Sequence, residues 1–153
     1  MNSYFMEGID LKDFIVVKKE YFMKERVPLL TLGDSFICLN SDCHAMLERC
    51  DSVQFRVSRA KKGIIIMPIS SSDDSAVTWK STSAKKSKQM KLYCPQLVLQ
   101  LFREWNLKPE CQYRMRGRLI SPDKKIMLHF SLDDSDVYDG IKKVGPYEPD
   151  SLF

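Results

Sequence analysis

The chain has 153 residues, of which 44% are hydrophobic and 29% are charged, and its formal net charge is +4. This length fits one domain, or two very small halves that share one core. Because the chain has no run of about 18 apolar residues and no apolar signal core near its N-terminus, we expect neither a membrane span nor a secreted protein, and we predict a cytoplasmic location.

The first predicted unit is a lead-in segment, residues 1–26, which contains the apolar run Phe-Ile-Val-Val at 14–17. The β-branched residues of this run favour a strand, and a short helix is the alternative.

A first repeat follows at residues 27–70 and predicts a strand–helix–strand order. A turn at Gly33-Asp34 separates its first two strands, and Asn40 or Ser41 can cap the helix with a side-chain oxygen. The predicted strands are 27–32, 35–39, 53–57 and 64–69, and the apolar stripe of the helix consists of Cys43, Met46, Leu47 and Cys50.

A polar linker rich in Ser and Lys, residues 71–90, leads to a second repeat at residues 91–132. The linker contains one candidate strand at 77–79, and Pro95 suits the first turn of the second helix. The predicted strands of this repeat are 91–94, 111–115 and 126–130, and its helical stripe consists of Val98, Leu101, Phe102 and Trp105. Residues 133–153 are acidic and contain several Gly and Pro, so we predict an extended or disordered tail.

The two repeats match in register, which favours duplication over coincidence. An offset of 55 superposes the two helical stripes and places Ile37 on Leu92. An offset of 58 superposes the next strands, so that Arg56 corresponds to Arg114, and an offset of 62 superposes the last ones. These offsets differ only by residues in the connections, where a duplicated fold tolerates changes of length.

Each repeat is too small to close a core alone, so the sequence predicts an α+β fold, mainly β with two short helices. In this fold two strand–helix–strand repeats form one pseudo-two-fold barrel. The order of elements resembles that of the AbrB-like swapped-hairpin transcription regulators and their tandem-repeat relatives. Residues 103–115 are similar to the segment in which a Leu-Gly-Leu-x-x-Gly-Asp element ends the helix of that family. Leu107, Lys108 and Pro109 fit the element, whereas Glu110 and Cys111 replace its Gly-Asp. The resemblance implies a swapped-hairpin or double-psi barrel and DNA binding.

Charge is unevenly distributed along the chain. The balance of Lys and Arg against Asp and Glu is −3 over residues 1–53, +11 over 54–125 and −4 over 126–153. A strongly positive middle segment favours polyanionic partners such as nucleic acid. The alternative, that folding mixes these charges into an ordinary solvated surface, stays open at this point.

The positive residues concentrate around the two predicted hairpins and in the linker. On an alternating strand, Arg114, Arg116 and Arg118 would share the face opposite Cys111 and Tyr113. Such residues would contact phosphates, which fixes affinity and register without reading bases. The candidate nucleic-acid-binding residues are Arg56, Arg59, Lys61, Lys62, Arg114, Arg116, Arg118, Lys124, Lys125, Lys85, Lys86 and Lys88.

No chemical centre emerges from the sequence. The five cysteines are an odd number in a chain that needs no disulfide staples, so we expect reduced thiols. The best metal candidates, Cys38, Cys43, His44 and Cys50, lack the spacing of a zinc site. His44 and His129 are the only histidines that could activate a thiol, and no phosphate-binding, dinucleotide or nucleophile motif occurs. We therefore predict no metal, no cofactor and no enzymatic activity.

Three hypotheses of function follow, of which an enzyme on a related barrel is the third and least favoured. The first is a non-enzymatic regulatory or accessory protein that binds duplex DNA through its basic hairpin surfaces. The alternative is a protein-interaction module, resembling an antitoxin or an accessory protein of a phage or mobile element, whose basic face meets an acidic protein partner. An oligomer is compatible with either, and we expect no membrane partner.

Overall fold

The computed structural model describes residues 8, 10–22, 25–79 and 89–149. Within these residues the chain is mainly β and contains two α-helices and nine strands. In chain order these are β1 Leu29–Gly33, β2 Phe36–Asn40, α1 Ser41–Met46, β3 Ser52–Ser58, β4 Gly63–Pro68, β5 Val77–Thr78, β6 Gln89–Tyr93, α2 Pro95–Glu104, β7 Cys111–Ile120, β8 Met127–Asp139 and β9 Lys142–Pro146.

All the strands belong to one antiparallel sheet that curls into a half-barrel. Eight of them follow the order β5-β3-β4-β8-β7-β1-β2-β6, and β9 pairs with β8. Three strand pairs join the two halves of the chain, namely β1 with β7, β2 with β6 and β4 with β8. Ile37 of β2 lies opposite Leu92 of β6, and Ile66 of β4 lies opposite Leu128 of β8. The mainly β class with two helices is therefore confirmed.

Both helices pack their predicted stripes onto the concave side of the sheet. Leu47, Val98 and Leu101 are at most 3% exposed, and burying each of these side chains stabilises the fold by about 1.5–3 kcal/mol. Trp105 follows directly after α2 and is also buried. The prediction that the stripes are buried is confirmed, with Met46 only partly buried.

The helix starts follow the sequence, but the end of α1 does not. The Asn40 side chain accepts a hydrogen bond from the Cys43 backbone amide at 3.3 Å, and Pro95 occupies the first turn of α2. Glu48 and Arg49 adopt φ values of 59° and 53°, which no α-helix allows. Cys50 therefore lies beyond the helix, and its placement on the helical stripe is wrong.

The strand predicted at 14–17 is wrong. These residues lie between two short 3₁₀ turns, Leu11–Asp13 and Lys19–Phe22, and have no regular structure. Ile15 and Val16 are 88% and 93% exposed. Their β-branched composition alone does not make a strand, because a strand also needs a neighbour that accepts and donates backbone hydrogen bonds.

The extended or disordered tail predicted for 133–153 is also wrong over most of its length, because these residues continue the sheet. β8 continues to Asp139, and β9 returns along it after a two-residue turn. Gly140 has φ of 63° in this turn, the conformation that the hairpin needs and that glycine adopts without strain. Residues 133–146 therefore belong to the sheet.

The polar linker contains the predicted short strand as β5. Residues 80–88 lie outside the described part of the chain, so the loop predicted there is not tested. Within the described residues no helix is long and apolar enough to cross a membrane.

Candidate nucleic-acid interface

The two basic hairpin turns lie at opposite ends of the β4–β8 pair. The Leu132 backbone amide donates to the Lys62 carbonyl at 2.9 Å, which puts the β3–β4 turn beside the middle of β8. The β7–β8 turn, which carries Lys124 and Lys125, precedes β8. Six residues of β8 span about 20 Å at roughly 3.4 Å each. The turn lysines are therefore two separate groups.

Arg116 is the most tightly bound of the candidate residues. Its Nε donates to Asp134 at 2.7 Å, and its Nη1 donates to Asp136 at 2.7 Å. Lys143 of β9 lies 3.4 Å from the same carboxylate of Asp136. The charges of two cations and two anions thus neutralise one another. Arg116 also links β7 to the part of β8 that contains Asp134 and Asp136.

These contacts shift the acid–base equilibria of the pair. The side chain of Asp136 is 14% exposed, and this burial raises its pKa. The hydrogen bond from Arg116 and the charges of Arg116 and Lys143 outweigh the burial and hold the pKa of Asp136 below its usual range. The same hydrogen bonds raise the pKa of Arg116 further. Both groups are therefore charged at neutral pH.

Arg59 and Lys62 also have partners within the chain. Arg59 Nε lies 3.1 Å from Glu104 on an exposed surface, where an ion pair contributes at most about 1 kcal/mol. Lys62 Nζ donates to the Tyr147 hydroxyl at 3.0 Å and is partly buried. Arg59 is therefore easily released to another anion, whereas Lys62 must first leave its hydroxyl partner.

Arg56 and Arg118 lie in one row across the convex, outer face of the sheet. Arg56 is opposite Ile65, Ile65 is opposite His129, and His129 is opposite Arg118. Both arginines are exposed. Arg56 donates to the Gln54 side chain at 2.7 Å, and no ion pair among the described residues involves either arginine. Three strand spacings of about 4.8 Å separate them by about 14 Å.

The remaining candidates fall into two groups. Lys61, Lys124 and Lys125 are exposed in the turns, and no ion pair of the described residues involves them. Lys85, Lys86 and Lys88 lie outside the described residues.

The predicted alternation of β7 is confirmed. Cys111, Tyr113 and Met115 are at most 5% exposed, and Arg114 projects to the outer face. There the Arg114 guanidinium lies 4.5 Å from the ring centre of Tyr138.

A second cation–aromatic pair lies on the same outer face, and sequence reasoning missed it. Lys91 Nζ of β6 lies 4.2 Å from the ring centre of Phe36 in β2. Tyr93 is the strand partner of Phe36 and is 79% exposed. The alternation of β2 and β6, with Ile37 and Leu92 turned inwards, could have assigned these residues to the outer face.

Metal-ligating side chains and the Cys43 thiol are the other groups that could form a chemical centre. The described residues contain no group of three His, Cys, Asp or Glu side chains that could hold a metal ion. Burial raises the pKa of the Cys43 thiol to about 12 despite its hydrogen bonds to Leu29 and Asn40. A thiol of this kind is protonated at neutral pH and is a poor nucleophile.

A cavity of about 680 Å³ opens between the end of α2 and the segment after β9. Tyr113, Tyr147 and Lys62 are among the residues that line it. The Tyr113 hydroxyl accepts from the Lys108 backbone amide at 2.9 Å, and burial raises the pKa of Tyr113. Its phenol is therefore a neutral structural group.

Comparison of the chain with protein-family models, with curated proteins and with solved structures finds no match.

Proposed function

We propose that this protein is a non-enzymatic regulatory or accessory protein that binds nucleic acid. Positive side chains on the outer face of its sheet contact the phosphates. The observation that carries the proposal is the row that joins Arg56 to Arg118 through Ile65 and His129. Both charges are exposed and are without a carboxylate partner among the described residues, so phosphates can take that place.

The spacing of the row suits a duplex. Arg56 and Arg118 are about 14 Å apart by strand count, close to the roughly 12 Å width of the major groove of B-DNA. Long, flexible arginine side chains can absorb the difference and reach one phosphate each on the two sides of the groove. Lys61, Lys124 and Lys125 add charge at the two hairpin turns.

The swapped-hairpin, pseudo-two-fold form of the fold is part of this proposal. In a duplicated unit with a two-fold axis, residues related by the repeat become strand partners only where the axis passes between them. Ile37 and Leu92 are related by the offset of 55 and are strand partners. Ile66 and Leu128 are related by the offset of 62 and are also strand partners. Both coincidences support a quasi-symmetric barrel of the kind that AbrB-like regulators form.

Titration of a labelled random-sequence duplex at two salt concentrations tests the function. We expect log K to fall linearly with log salt, and replacement of both Arg56 and Arg118 by Ala should reduce that slope by about 1.8, or roughly 0.9 per lost phosphate contact. Arg103→Ala is the matched control, because Arg103 is an exposed arginine of α2 and lies away from the outer face. No binding of either DNA or RNA at low salt would reject the proposal.

The protein-interaction module stays a second candidate because of the lead-in segment. Leu11, Phe14, Ile15 and Val16 are between 65% and 93% exposed, a contiguous apolar surface of the kind that marks binding segments. Removal of residues 1–22 separates the two candidates. Unchanged DNA binding with a loss of self-association or partner binding assigns the segment to a protein contact.

A further inference from the structure

Part of the outer face carries aromatic rings beside cations that form no ion pair with the described residues. We define this stacking face as Phe36, Tyr93 and Tyr138 together with Lys91 and Arg114. It spans β6, β2, β1, β7 and β8 and lies on the side of the sheet opposite the two helices.

A continuous row of strand partners holds the two cations at opposite sides of this face. Lys91 is opposite Cys38, Cys38 is opposite Thr31, and Thr31 is opposite Arg114. The row ends at Asp136, whose carboxylate is engaged by Arg116 and Lys143. Neither Lys91 nor Arg114 has an ion pair among the described residues, so this face keeps two uncompensated positive charges.

The rings lie where an extended strand of bases could reach them. Gly33 leaves room for the Phe36 ring, because a Cβ at Gly33 would collide with that ring. The Phe36 ring therefore occupies the space beside Gly33, and Lys91 Nζ lies 4.2 Å from its ring centre. Tyr93 stands beside it, 79% exposed, and Tyr138 lies under Arg114.

One exposed ring and two partly buried rings, each of the latter beside a cation, suit unpaired bases. Each base can stack on an aromatic ring, while lysine or arginine takes the neighbouring phosphate. A duplex already stacks its bases internally and cannot use the rings. An acidic protein would use the cations but would leave the rings unexplained.

We propose that the stacking face binds a single-stranded nucleic acid, whose bases stack on Phe36, Tyr93 and Tyr138 while Lys91 and Arg114 hold its phosphates. This inference rests on the proposed function, that the protein binds nucleic acid, and it adds the strand state of the ligand and a second set of contacts. Stacking is tolerant of sequence, so the face selects single strands without selecting bases.

Fluorescence anisotropy tests the inference on the full chain. The labelled ligands are oligo(dT) and oligo(U) of about 12 nucleotides, which is within the usual site size of ~4–16. A duplex of the same length is titrated in parallel. Tyr93→Ala should weaken binding of the single strands by about 5- to 150-fold, the factor for one lost stacked base, and should leave duplex binding unchanged. Tyr93→Phe keeps the ring and should bind like the parent.

Tyr21→Ala is the matched control, because Tyr21 is also 79% exposed but belongs to the lead-in segment. Lys91→Ala should reduce the salt slope for single strands by about 0.7. The inference is overturned if Tyr93→Ala binds single strands as the parent does, or if Tyr21→Ala loses as much. Duplex binding without single-strand binding would reject the stacking face and keep the proposed function. Failure of every nucleic acid would reject both.

Discussion

Gly117 is the position where one methyl group should do most harm to the sheet. A Cβ built on Gly117 would lie 2.5 Å from Cε2 of Phe130, a separation that real Cβ atoms do not tolerate. Phe130 is its strand partner and is fully buried. We therefore expect Gly117→Ala to destabilise the protein, since the ring has no free space into which it could move.

The expected magnitude is the difference of two effects. Overpacking of a close-packed core costs about 1–3 kcal/mol. The φ of Gly117 lies outside the positive range, so alanine is allowed there and stabilises by about 0.4–1 kcal/mol through the unfolded chain. The net loss in free energy of unfolding is about 1–2 kcal/mol, which lowers Tm by roughly 2–8 °C at this chain length.

Urea denaturation followed by fluorescence of the buried Trp79 and Trp105 measures this loss. Gly33→Ala is the matched control. Its Cβ would also meet a phenyl ring, but Phe36 is only partly buried and can turn towards solvent, so its stability should stay near that of the parent. Phe130→Leu should relieve the clash, so that Gly117→Ala costs little in that background. An unchanged Gly117→Ala variant, or an equal loss with Phe130→Leu, would refute the reasoning.

Three further predictions concern titratable groups. Burial raises the pKa of Cys43 from 9.0 to about 12, so the contribution of this thiol to the free energy of unfolding is complete below pH 9 and is lost as the pH rises towards 12. At pH 10.5 the parent should have lost about 2 kcal/mol through this group. Urea midpoints should show that Cys43→Ser does not have this loss. Arg116→Met should lower the free energy of unfolding by about 1–2 kcal/mol at pH 7. The depressed pKa of Asp136 stabilises the fold only while this carboxylate is charged. Urea titrations at pH 7 and below pH 3.8 should therefore show the difference between variant and parent shrinking as Asp136 becomes protonated. Cys38 lies between Lys91 and Arg114, and burial raises its pKa. Bound oligo(dT) should slow the alkylation of this thiol, which peptide mass spectrometry can measure. An unchanged rate would contradict binding on the stacking face.

Local signals in the sequence were sufficient for most of the elements. A cap at Asn40, a proline at position 95 and the period-2 pattern of β7 act over a few residues, and the structure contains each of them. β9 was missed because it contains a glycine and a proline and shows no alternation of apolar and polar residues, and because the acidic composition of residues 133–153 favoured disorder. The Asp139-Gly140 pair was the available signal, since Asp-Gly commonly forms the turn of a hairpin.

The candidate site was harder to predict because it depends on pairing between distant strands. β2 and β6 meet across the gap between the repeats, and only their register brings Lys91 and Tyr93 of β6 to Phe36 of β2. Sequence spacing gives the face on which each residue lies, but it does not give the neighbouring strand. The same limit applies to Arg116, whose two carboxylate partners come from β8 and could not be distinguished from solvated acids.

The fold changes what the uneven charge of the chain means. Four of the acidic residues after Leu132 belong to the sheet and not to a tail, because β8 contains Asp133, Asp134, Asp136 and Asp139. There Asp134 and Asp136 neutralise Arg116 and Lys143, and they leave Arg114, Lys91, Arg56 and Arg118 without ion pairs among the described residues. Folding therefore separates the cations into a structural set and an available set. The proposed binding of nucleic acid rests on this available set, of which Lys91 and Arg114 also lie beside aromatic rings.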